Sequence, residues 1–112
     1  MGFSKTNEIE HDAVYELSPS IKLFTLRDVG FQKNINSSTW NYVGMVEPQK
    51  GIDNSIKLKV VINEDMSAFD MSVVNANGSV RVDINDFDDV MKEQYDFIIR
   101  FLIEREVLQK SK

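Results

Sequence analysis

The chain has 112 residues, of which 42% are hydrophobic, 10% aromatic and 28% charged, a composition that can bury a core unaided and excludes intrinsic disorder. It contains no cysteine, which excludes disulfides, thiolate nucleophiles and thiolate metal sites and makes a reducing, cytoplasmic setting the expectation. With 18 acidic against 13 basic residues the net charge is −5, and no basic footprint for phosphates stands out, so nucleic acid is not an expected ligand.

One domain over residues 1–112 is expected, its first twelve residues, MGFSKTNEIEHD, forming a polar and loosely ordered arm. That opening lacks the apolar run of a secretory signal, and no later stretch is long and apolar enough to span a bilayer. AVYEL, Ala13 to Leu17, reads as a short strand stopped by Ser18-Pro19. Ile21 to Phe31 is rich in β-formers and is read as a second strand, although Ile21 and Leu23 occupy one alternating set and Phe24 and Leu26 the other. Such a strand needs cover on both faces or a bulge, and Gly30 marks its bulge or end. A polar loop follows, then TWNYVGMV, with Trp40, Tyr42 and Val46 on one face and Val43 and Met45 on the other. EPQKGIDN, Glu47 to Asn54, is turn-rich.

Alternation is clearest in SIKLKVVIN, where Ile56, Leu58, Val60 and Ile62 oppose Lys57 and Lys59. AFDMSVV and SVRVDI repeat the pattern on either side of Asn77-Gly78, which predicts a hairpin and antiparallel pairing. The chain then turns helical, from about Phe87 to Gln109, with Asn85 or Asp86 as cap and Asp88 and Asp89 at the positive end of the dipole. Phe87, Val90, Met91, Tyr95, Ile98, Phe101, Leu102 and Leu108 make one apolar stripe, and Phe97, Ile99 and Ile103 widen it beyond a single face. A helix apolar on so many sides must be covered more than once. It is held in a bent sheet or between two small sheets, or else Phe97, Ile99 and Ile103 form an interface to a second chain.

Chemical signals are sparse. The sole histidine, His11, lies among Glu8, Glu10 and Asp12; this could be a ligand set, but a solvated arm is the simpler reading, and no metal site is expected. DINDFDD fails the calcium-loop template because Phe87 stands where a ligand belongs, so capping explains its acids. No nucleophile elbow, zincin, Walker or dinucleotide fingerprint is present, and neither a catalytic set nor a cofactor is identified; the one catalytic route left open is acid–base chemistry by carboxylates with lysine or tyrosine, for which Glu47, Asp28, Lys50, Tyr42 and Arg27 are the candidates. Arg27, Asp28, Tyr42, Glu47 and Lys50, polar groups on or near loops, are the candidate ligand-binding residues.

YELSPSIKLFTLRDVGF, FDMSVVNANGSVRVDIND and FIIRFLIERE together resemble the family called domain of unknown function 1831, the Leu17 to Pro19 and Thr25 to Phe31 segments being most diagnostic. The resemblance runs along almost the whole chain and implies an α+β fold, two small, mostly antiparallel β-sheets packed against a single long C-terminal helix. The family's description connects it with amino-acid metabolism, and its fold remotely resembles S-adenosylmethionine decarboxylases. Those enzymes cut themselves at a Glu-Ser bond, which this chain lacks, and Gly78-Ser79 reads as a hairpin turn, so decarboxylation is not carried over. The implied role is a ligand-binding or regulatory one in amino-acid metabolism, the ligand a small metabolite such as an amino acid derivative. The alternative is an interaction module of a larger metabolic enzyme, for example one handling cysteine sulfur, with the chain a monomer or homodimer.

Overall fold

The computed structural model describes residues 3–111. In chain order it holds β1 (Thr6–Ile9), β2 (Ala13–Leu17), α1 (Leu23–Val29), β3 (Gln32–Asn34), β4 (Thr39–Met45), β5 (Lys57–Ile62), β6 (Phe69–Val74), α2 (Asp89–Glu104) and β7 (Leu108–Lys110), with 3-10 turns at Pro48–Lys50 and Ile84–Asp86. β1 lies within the segment expected to be a loose arm. The strands form two antiparallel sheets, ordered β1-β2-β7 and β3-β4-β5-β6.

Period-two alternation builds the larger sheet. Tyr42 faces Val60 and Val60 faces Met71, while Trp40 faces Ile62 and Ile62 faces Phe69, so one side of the sheet is a continuous apolar surface. Leu58, Val60, Ile62, Phe69 and Met71 are buried there. α2 lies on this surface, with Tyr95, Ile98, Ile99 and Leu102 buried at helical spacing. It comes close at Gly44, where an added Cβ would meet Ile98 Cδ1 and Cγ2 at 3.0 Å; a side chain there would push the helix off the sheet. The smaller sheet adds Ile9, Tyr15 and Leu108 to the same core as Tyr95 and Leu102. The architecture is thus α+β, with two antiparallel sheets around the C-terminal helix; of the residues that widen that helix's apolar surface, Ile99 is buried in this core and Ile103 half-buried, while Phe97 stays exposed.

The segment Ile21 to Phe31 is not a strand: Leu23–Val29 is helical, so the C-terminal helix is accompanied by a second, short one. Apolar residues on both alternating sets are the trace of a 3.6-residue period. Leu26 and Val29, three apart, are buried, while Phe24 is exposed. Gly30 ends the helix at φ 114, its N–H donating to the carbonyls of Leu26 and Arg27, and the Phe31 N–H returns to Leu26. This left-handed stop strongly favours glycine.

α2 is shorter than expected. Asp88 caps it in place of Asn85 or Asp86, accepting from the Met91 N–H at 2.8 Å. It ends at Glu104, Glu106 turns the chain at φ 61, and Leu108–Lys110 pairs with β2 as a strand. The Asn77-Gly78 hairpin is also incomplete. Asn75 Oδ1 accepts from the N–H groups of Ser79 and Val80, forming the turn. Among the described residues, the returning arm meets β6 and Asn75 beyond it through the Val74–Arg81 bridge and two bonds, Asn75 N–H to Val80 C=O and Val82 N–H to Val73 C=O, and the Val80 side chain stays exposed. The rest of that edge has other partners: Ser4 pairs with Phe69, and the Asn7 amide donates to Phe69 C=O at 2.9 Å and accepts from the Met71 N–H at 3.2 Å. Asn7 thereby ties the two sheets together as a side-chain substitute for a strand. Among the described residues no helix is long and apolar enough to cross a membrane.

Candidate functional site

The turn between β1 and β2 is fixed from beneath. The Asp12 N–H donates to Ile9 C=O at 2.9 Å, and His11 takes a left-handed conformation at φ 69. Asp12 Oδ2 accepts from the hydroxyls of Tyr15 at 2.5 Å and Tyr95 at 2.7 Å. Both tyrosines are buried. Burial, and then the hydrogen bond to Asp12, push their hydroxyls far above the ordinary tyrosine range, so both remain donors. The turn is therefore anchored to α2, and the side chains on its outer side have a rigid base.

Facing that turn is the arm that follows the Asn77-Gly78 turn. Asp83 Oδ1 accepts from the Asn85 N–H at 2.9 Å and lies 2.8 Å from His11 Nδ1. The Asp83 hydrogen bond and charge raise His11 above its usual value, with smaller contributions from Glu10 and Asp86 against desolvation. The Asn85 N–H, and then His11, lower Asp83. Between turn and arm runs a groove of about 450 Å³ lined by Glu8, Ile9, Glu10, Val73, Arg81, Val82 and Asp83. Ile9 and Val73 are buried, Val82 is half-buried, and Glu8, Glu10 and Arg81 are exposed. Among the described residues, Glu8, Glu10 and Arg81 form no ion pair within 4.0 Å.

Glu10, His11 and Asp83 each bring one ligand atom within 4.8 Å of the others. The His11–Asp83 separation of 2.8 Å is nevertheless that of a hydrogen bond, since two tetrahedral zinc ligands at ~2.0 Å bonds lie about 3.3 Å apart. The pair acts as a clasp between turn and arm.

The five residues singled out from the sequence do not converge. Arg27 is exposed on α1, 5.6 Å from the Trp40 ring centroid, with Lys33 5.7 Å from the same ring. Asp28 is exposed beside it. Tyr42 stacks on Phe31 at 5.1 Å, and burial raises its hydroxyl. Glu47 pairs with Lys50 at 2.9 Å and accepts from the Ile56 N–H at 3.2 Å. Lys50 first, and the Ile56 N–H with it, hold the Glu47 carboxyl below its usual range against desolvation. That pair closes the 47–56 loop on itself. Tyr42 and Phe97 both line a shallow apolar groove of about 250 Å³, together with Met45, Pro48 and Phe101. Of the other interface candidates, Ile99 is buried and Ile103 half-buried.

Sequence reasoning passed over Glu8, Glu10, Arg81 and Asp83 as a group. His11 and Asp83 are 72 positions apart, and nothing local to either segment indicates that β6 brings them together.

The family model DUF1831, described as "Putative amino acid metabolism", matches residues 1–109 of the chain. The chain is also similar to the crystal structure of a DUF1831 family protein from Lactobacillus plantarum, at 32% identity and a TM-score of 0.85 over 99% of each chain. None of the curated proteins matches it.

Proposed function

The chain belongs to the DUF1831 family, and from that premise we propose that it is a ligand-binding or regulatory protein of amino-acid metabolism. Its site is the groove between the β1–β2 turn and residues 81–83. One observation carries the reading: charges of both signs line a groove with an apolar floor, and among the described residues Glu8, Glu10 and Arg81 have no ion-pair partner, while Asp83 is held by His11. Small polar metabolites select such places, because apolar contact supplies area and a few charged groups set orientation. The reading is one of binding: among the described residues the lining holds no serine, threonine, cysteine or lysine to serve as a nucleophile.

The test is a thermal-shift panel of amino acids, S-adenosylmethionine and polyamines. A ligand that binds the folded state raises the melting temperature with concentration, and at least one panel member should do so. The shift should vanish in an Arg81→Gln, Glu10→Gln double variant of unchanged circular dichroism. A flat panel would count against a binding role, and a shift indifferent to the double variant would place the site elsewhere.

A second reading rests on Phe97, which is 55% exposed on α2 beside exposed Val43. It makes the chain an accessory module of a larger enzyme that docks on this groove. Native co-purification in which Phe97→Ser releases a stoichiometric partner would favour it; loss of no partner would dismiss it.

A further inference from the structure

Resting on the reading that this groove binds a small metabolite, we propose that its ligand is a cationic α-amino acid with an amine-bearing side chain. Arg81 takes the carboxylate, Glu8 and Glu10 take the two ammonium groups, and Ile9 and Val82 pack against the methylenes between them.

The charge inventory of the groove leads to this class. Among the described residues, its lining holds the carboxylates Glu8, Glu10 and Asp83 and one cation, Arg81. Asp83 is already engaged, accepting from His11 and from the Asn85 N–H. What remains is one guanidinium and two carboxylates, none of them in an ion pair among the described residues. A ligand complementary to that set carries one anion and two cations.

Guanidinium presents a planar fork that fits a carboxylate through paired N–H donors. A dicarboxylate would gain Arg81 but face repulsion from Glu8 and Glu10. A diamine without a carboxylate would satisfy the acids and leave Arg81 without a partner. A neutral-side-chain amino acid would leave one acid unanswered. The buried Ile9 and Val73 and half-buried Val82 give a methylene chain an apolar path between the charged ends. All three recognition groups are exposed, so affinity should be modest and fall with salt.

The experiment is isothermal titration of the full chain at low salt with lysine, ornithine, leucine, glutamate and cadaverine, the last being lysine's diamine without its carboxylate. Lysine or ornithine should bind at least about tenfold more tightly than leucine or cadaverine, and glutamate should not bind. Arg81→Gln should bring lysine down to the level of cadaverine and leave cadaverine unchanged, whereas Glu10→Gln should weaken both. Cadaverine binding as tightly as lysine, or lysine binding indifferent to Arg81→Gln, would overturn the proposal while leaving a metabolite groove standing. The same holds if none of these five binds but S-adenosylmethionine does and depends on Arg81. Absence of binding by every compound in either panel would remove both the ligand class and the groove's role.

Discussion

Asp12 shows what one carboxylate does when two buried hydroxyls converge on it. Tyr15 and Tyr95 come from different elements, β2 and α2, and both donate to the same Oδ2. Asp12→Ala leaves two phenol groups without their acceptor and should destabilise the fold by about 2–4 kcal/mol, read as a lower urea midpoint. Tyr95→Phe keeps Asp12 within reach of Tyr15 and should cost only about 1 kcal/mol. Equal losses in the two variants would mean that the carboxylate does not anchor the turn. At His11 the linkage is with pH. A histidine raised in the folded state contributes its full stability below its ordinary value of 6.5 and loses it as pH rises through the raised value. Asp83, lowered in the folded state, contributes above 3.8 and loses its share as pH falls through its own folded value. The clasp is therefore fully made between those limits. Urea midpoints should fall as pH climbs past the histidine's folded value, and His11→Ala should flatten that fall.

The contact between β4 and α2 is set by a missing side chain. An alanine Cβ at position 44 would stand 3.0 Å from two atoms of Ile98, which faces it from the helix. Gly44→Ala should cost about 1–3 kcal/mol by overpacking. Ile98→Val in the same chain should return part of that loss, a coupling that a double-mutant cycle measures directly. Additive losses would mean that the helix is not held by this approach. α1 shows how a local pattern is misread when strand-forming residues occupy a helix. Thr25 and Val29 carry β-branched preference, yet Leu26 and Val29 bury one helical face and Gly30 closes it. Propensity gave way to the tertiary contact, while the signal that favoured helix, apolar residues in both alternating sets followed by glycine, was present in the chain all along.

Across the whole molecule, the two sheets do not own separate cores. Trp40 of the larger sheet, Tyr15 of the smaller and Tyr95 of α2 belong to one buried cluster, and Asn7 joins the sheets at the β6 edge. Denaturation should accordingly be a single transition, with Trp40 fluorescence and tyrosine near-ultraviolet circular dichroism coinciding. Separate midpoints would show that the sheets melt independently.

The sequence by itself determined what depends on short spacing. β2, β4, β5 and β6 and the apolar identity of α2 follow from periods of two and about 3.6. Segments whose form depends on a distant partner were not legible. β7 continues the apolar pattern of α2 and becomes a strand because β2 offers an edge, while residues 80–82 alternate like a strand yet make little ladder because Ser4 and Asn7 hold much of the β6 edge. The candidate groove belongs to this second kind. Glu8, Glu10 and His11 lie among the first dozen residues and Arg81 and Asp83 far along the chain, and a charge acquires a functional setting only when folding decides which distant charges share its groove. Periodicity reports which side of an element is buried. Only the tertiary structure decides which exposed sides face one another.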